Sequence, residues 1–119
     1  MVNRPTAMHI APVIAVTDLD RAREFYEHRL GLDGAETPGG WAASADYGTV
    51  LNLLSGVPSA GSADWPVATL RVDDVHATVR ALRSRGVPFL GPDDLPFTLD
   101  DDGVSSQQAG RKVAWMRDP

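Results

Sequence analysis

The chain has no cysteine, so a disulfide framework, a thiol nucleophile and a Cys-based zinc site are all excluded, and a reducing cytoplasm is the expected compartment. Aromatic residues make up only 7% of its 119 positions. No apolar run approaches the roughly 18 residues that a membrane helix needs. The stretch Ala7 to Val16 follows Arg4 but contains His9 and Pro12 and lacks a small-residue cleavage site before Asp18, so it reads as a buried strand and not as a secretory leader. Positive charge is not in excess either. Eleven Lys and Arg stand against sixteen Asp and Glu, for a formal charge of -5, which makes nucleic acid a poor partner.

What is present is the composition of one ordinary globular domain: 43% hydrophobic and 23% charged, with eleven Gly and nine Pro joining many short elements. The acidic surplus is local. Asp93, Asp94, Asp100, Asp101 and Asp102 account for it, so a balanced body carries one acidic loop, read as a solvated segment or as an attraction for a cationic ligand. Asp100-Asp101-Asp102-Gly103 has neither the spacing nor the distal Glu of a calcium loop, since Ala109 stands at that place.

A repeat organises the chain. In IAVTDLDRAREFYEHRLGL an apolar strand ends at Val16, Asp18 caps a helix, Leu19, Ala22, Tyr26 and Leu30 recur at helical spacing, and Gly31 stops it. In TLRVDDVHATVRALRSRGV the same order returns, with Leu70 and Val72 closing a strand, Asp73 or Asp74 capping, Val75, Val79 and Leu82 forming the stripe, and Gly86 stopping it. A shift of 56 residues superposes Val16 on Val72 and Asp18 on Asp74. After the first helix a weak strand is expected near Leu32 to Glu36, then strands Trp41 to Asp46 and Thr49 to Leu54 about a Tyr47-Gly48 turn. After the second come a short strand Val87 to Leu90, a long connection Gly91 to Gly110 and a strand Arg111 to Arg117, where the chain stops one strand short. The expected architecture is α+β, with two tandem βαβββ modules, about 8–56 and 66–119, curving a mixed sheet around a concave pocket.

This pattern, together with VTDLDRAREFYEHRLGL, VDDVHATVRALRSRGVPF and KVAWMRDP, resembles the vicinal oxygen chelate superfamily of glyoxalase I, extradiol dioxygenases, fosfomycin-resistance enzymes and bleomycin-resistance proteins. The resemblance runs from His9 to Pro119. It implies that the enzymes of the group hold a divalent metal with one His, Gln or Glu from each of four strands. The corresponding positions here are Ala11, Asn52 and Val67, and the fourth belongs to a strand beyond Pro119. Alanine and valine have no lone pair to give, and a single amide is a weak ligand, so no metal and no other cofactor is expected. Of the histidines, His28 and His76 read as helix-surface residues, and only His9 shares the strand face of Ala11.

With Ala11, Asn52 and Val67 on the concave side, as the resemblance implies, period-two alternation adds Val13, Ala15, Val50, Leu54, Thr69 and Arg71 to that face and puts Pro12, Ile14, Val16, Ala68, Leu70 and Val72 on the helix side. The expected ligand-binding residues are Asn52, Thr69 and Arg71 as the polar groups, and Trp41, Trp65 and Trp115 as stacking faces. Arg71 has two readings, a fork for a ligand carboxylate or phosphate and a pair with a neighbouring acid. No nucleophile with a base presents itself. Two functions follow: a metal-free homodimer, similar to the bleomycin-resistance branch, that sequesters an aromatic or cationic small molecule; or a lyase, dioxygenase or isomerase with a divergent active site.

Overall fold

The computed structural model describes residues 6–8, 10–108 and 110–119. His9 and Ala109, both weighed above, lie outside the described residues. Strand β1 (Val13–Ala15) leads into helix α1 (Leu19–Arg23), whose cap is the aspartate expected from sequence: an Asp18 carboxylate oxygen accepts from the Arg21 backbone N–H at 3.2 Å. The helix does not end there. It widens into a π-helical segment, Glu24–Arg29, in which the Leu30 N–H reaches back five residues to the Phe25 carbonyl. Strands β2 (Asp33–Thr37), β3 (Gly40–Ser44) and β4 (Val50–Leu54) follow as a meander, with a single 3₁₀ turn, Asp46–Gly48, between the last two.

The four strands form one mixed sheet in the order β1-β4-β3-β2, with β1 parallel to β4 and the other pairs antiparallel. Register sorts the side chains. Ile14, Leu53 and Trp41 stand opposite one another in one row and face the helix, where they pack with Val16, Ala22, Phe25, Tyr26, Ala43 and Val87 into the main core. The expected helix stripe is confirmed at Ala22 and Tyr26, and it lacked Phe25. The wide π turn brings the adjacent Phe25 and Tyr26 inward together, with rings edge to face at 5.1 Å. Trp41 is 0% exposed, and its indole lies over Gly34, where a methyl group would sit 2.1 Å from the ring. Glycine in β2 is thus the space the tryptophan occupies.

The second half is smaller than expected. Helix α2 (Val75–Ser84) is capped by Asp74, whose carboxylate accepts from the Ala77 N–H at 3.0 Å. Strands β5 (Ser105–Gln108) and β6 (Arg111–Val113) form a separate antiparallel hairpin, and Phe89 bridges to Met116. Val87 enters the main core, with Leu82, Phe89 and Met116 packed against it.

Three expectations are corrected. Residues 67–72 form no strand, and Val67, Leu70 and Val72 are exposed, because alternation is only a propensity until a neighbouring strand supplies the ladder. The stretch read as one long connection contains β5, which follows the buried Val104 and opens on the buried Ser105, and its Ser-Ser-Gln-Gln composition carried no strand signal. Finally, the strands form a four-stranded mixed sheet and a separate two-stranded hairpin, where the expected architecture has two βαβββ modules curving a mixed sheet around a pocket.

Candidate functional site

The sheet has one covered face and one open face. On the open face, register aligns Val13, Asn52, Ala42 and Ala35 in one row across all four strands. The next row on that face holds Ala15, Leu54, Gly40 and Thr37. Val13 is 59% exposed, while Asn52, Ala15 and Ala42 are half-buried. The result is a floor of small side chains on which one amide offers both a donor and an acceptor. Chemically such a surface can seat a flat apolar body and orient it through the Asn52 amide.

The six expected ligand-binding residues do not share this surface. Asn52 lies on it as read from sequence, and so do Val13, Ala15 and Leu54. Trp41 does not: it is in the core on the opposite face, with the Arg23 guanidinium 5.5 Å over its ring and Arg23 in turn paired to Glu36 at 3.5 Å. Cross-strand pairing with Leu53 puts Trp41 inside. Trp65, Thr69 and Arg71 lie in the exposed irregular segment before α2, with Trp65 68% exposed. Trp115 is half-buried and stacks on Phe97, ring centres 5.2 Å apart and planes 14° from parallel.

The acidic loop has a different role from either expected one. Asp100 anchors a tight turn: one of its oxygens accepts from the N–H groups of Asp102 and Val104, and the other meets His76 Nε2 at 2.7 Å. Arg80 bonds the Asp102 carboxylate at 2.8 Å, and Arg83 donates to the Asp102 carbonyl at 3.1 Å. His76, Arg80 and Arg83 line up on one side of α2 at spacings of four and three, which is the helical signal the sequence reading missed. Hydrogen bonding to His76, followed by the backbone N–H of Val104, holds the Asp100 carboxyl below its ordinary range. Two of the five acids are therefore already compensated by α2. A depression of about 610 Å³ surrounds the cluster, lined also by Asp74, Asp101 and Lys112, and a second of about 520 Å³ lies between the π-helical segment and the chain end; neither includes Asn52.

A metal is what the fold family would suggest, so the donor set matters. The three corresponding positions hold Ala11, Asn52 and Val67, and among the described residues no group of three or more His, Asp or Glu side chains is placed to hold an ion. These residues do not fit a divalent cation. Among the described residues no helix is long and apolar enough to cross a membrane.

A parallel β1-β4 pair, an antiparallel meander, a helix on one face and an open floor on the other define a small α+β protein built to present one side of a sheet. The sequence pattern of the Glyoxalase/Bleomycin resistance protein/Dioxygenase superfamily matches residues 7–100, and the chain belongs to that superfamily. Similar solved structures include TnmS3, an antibiotic binding protein from Streptomyces sp. CB03234, at 26% identity and TM-score 0.58, covering 96% of this chain and 99% of that one. A glyoxalase/bleomycin resistance protein from the same Streptomyces strain is 25% identical over 91% of this chain and 100% of that one, with TM-score 0.54. Lactoylglutathione lyase from Agrobacterium tumefaciens shares the fold at 18% identity, covering 98% and 89% of the two chains with TM-score 0.58. A search among curated proteins found no match.

Proposed function

We propose that this chain is a metal-free small-molecule-binding protein, a homodimer of two-module subunits (about 8–56 and 66–119), whose ligand is a planar aromatic compound of antibiotic type seated on the sheet face around Asn52. The observation that carries this reading is the chemistry of that face, a floor largely of small residues around the Asn52 amide; Ala11 and Val67, off that face, stand where the resemblance to catalytic relatives would call for electron-pair donors. The similarity to an antibiotic binding protein over nearly the full length of both chains supports it. Trp65, Thr69 and Arg71 lie in an exposed segment and would complete the site from above, within one subunit or across two.

The test is a thermal-shift screen of aromatic antibiotics and quinones on the purified chain, followed by titration of any hit against Asn52→Ala. Ligand at a hundredfold excess over Kd adds about 2.7 kcal/mol to folding stability, which raises the midpoint by several degrees. The expected result is a hit whose affinity drops about tenfold in Asn52→Ala. A hit of unchanged affinity in that variant would move the site elsewhere, and stoichiometric metal with lyase turnover would establish the enzyme reading instead.

A further inference from the structure

Arg29 and Arg85 occupy the same place in the repeat: each stands eleven positions after the aspartate that caps its helix, Asp18 and Asp74. In the folded chain each reaches the end of the other helix. Arg29 Nη1 donates to the Gly86 carbonyl at 2.8 Å, and Arg85 Nη1 donates to the Arg29 carbonyl at 3.3 Å. The Arg29 carbonyl is the last of its helical segment and the Gly86 carbonyl lies one residue past the Arg85 cap, so both sit at the negative end of a helix dipole, where a guanidinium is well suited to meet them.

The glycines that end the helices repeat the reciprocity. Gly86 has φ +81°, and a methyl group on it would sit 2.7 Å from Arg29 Nη1; Gly31 has φ +78°, and a methyl group on it would sit 3.3 Å from Arg85 Nη1. Each arginine therefore lies against the left-handed glycine of the opposite half. Arg29 is held in place from its own helix by Glu24, which accepts from Nε at 3.2 Å. The covalent link between the halves cannot fix their angle, because residues 55–74 carry no helix or strand.

We propose that Arg29 and Arg85 form a reciprocal clasp about an internal quasi-two-fold axis, and that this clasp sets the angle between the two halves. The two bonds act as one unit, since rotating either half about the contact breaks both. The absence of cysteine makes the test direct. Exposed positions in the two halves, Asp33→Cys and Ala81→Cys, take spin labels without competition from native thiols. The expected result in the parent chain is one narrow distance distribution, which broadens in Arg85→Ala, a variant that removes an exposed side chain and no core. Melting temperatures should fall by about 2–5 °C in Arg85→Ala and in Arg29→Ala, and the double variant should lose little more than the worse single one. Unchanged distances in Arg85→Ala, or strictly additive losses in the double variant, would overturn the clasp. Arg85→Lys, which keeps the charge and a donating head but loses the planar fork, should restore part of the narrow distribution.

Discussion

The Tyr26 hydroxyl donates to an Asp118 carboxylate oxygen at 2.6 Å, across 92 positions of sequence. This bond ties the π-helical segment of the first half to the last residues of the chain. Burial, reinforced by the hydrogen bond and charge of Asp118, raises the phenol far above its ordinary range.

Removing that hydroxyl should be felt without disturbing the core around it. Tyr26→Phe keeps the ring in its edge-to-face contact with Phe25 and leaves Asp118 without its donor, so a loss of about 1–2 kcal/mol is expected in chemical denaturation. The alkaline limb follows from the sign of the shift. A phenol whose folded-state pKa lies above its unfolded value stabilises fully below about pH 10 and ceases to do so as pH rises beyond it. Absorbance at 295 nm should therefore show no phenolate from Tyr26 until the fold itself is lost.

At the acid end the group to watch is Asp100. Its carboxyl is held below the ordinary value by His76 and by backbone N–H groups, so its contribution is complete above about pH 4 and disappears as pH falls through the depressed value. The melting temperature of the parent chain should decline on going from pH 5 to pH 3. Asp100→Asn, which lacks the contribution at every pH, should give a flatter curve over the same window by calorimetry. Equal slopes in the two proteins would show that the turn does not depend on this charge.

Two tryptophans should behave oppositely. Trp41→Ala opens a cavity between Leu53, Ile14 and the helix and is expected to cost about 3–5 kcal/mol. Trp65→Ala, at an exposed position, should stay within about 0.5 kcal/mol of the parent while lowering affinity for any ligand that the screen finds. Gly34→Ala should resemble the first case, because its methyl group would enter the space of the Trp41 ring.

Metal removal should change nothing. With Ala11, Asn52 and Val67 at the positions in question, dialysis against a chelator should leave the melting temperature within about 1 °C, and elemental analysis should find no stoichiometric divalent ion.

What could be read from sequence was whatever a short stretch of chain decides by itself. Asp18 and Asp74 cap their helices because an aspartate before an apolar stripe satisfies the first N–H groups wherever the helix later packs. Ile14 and Val16 point inward and Val13 outward because alternation is a property of a single strand. The face of Asn52 came from the family resemblance, and alternation then carried Val50 and Leu54 with it. The failures lie where a partner decides. Residues 67–72 alternate as well as β1 does but have no ladder, and Trp41 was misplaced because only its pairing with Leu53 and the gap at Gly34 reveal which side it takes. The acid turn was legible in principle, since His76, Arg80 and Arg83 share one side of α2, but nothing in the chain order says that Asp100 and Asp102 dock there.

The wide turn in the first helix has a counterpart in plain counting. Gly31 lies thirteen positions after Asp18, whereas Gly86 lies only twelve after Asp74. Because each arginine stands eleven positions from its cap, the one surplus residue falls at Leu30, between Arg29 and Gly31, and the wide turn that the Leu30 N–H closes on the Phe25 carbonyl takes it in. Deleting a single residue from that stretch should tighten it into an ordinary α-helix, and the aromatic pair at 25 and 26 would then no longer turn inward together.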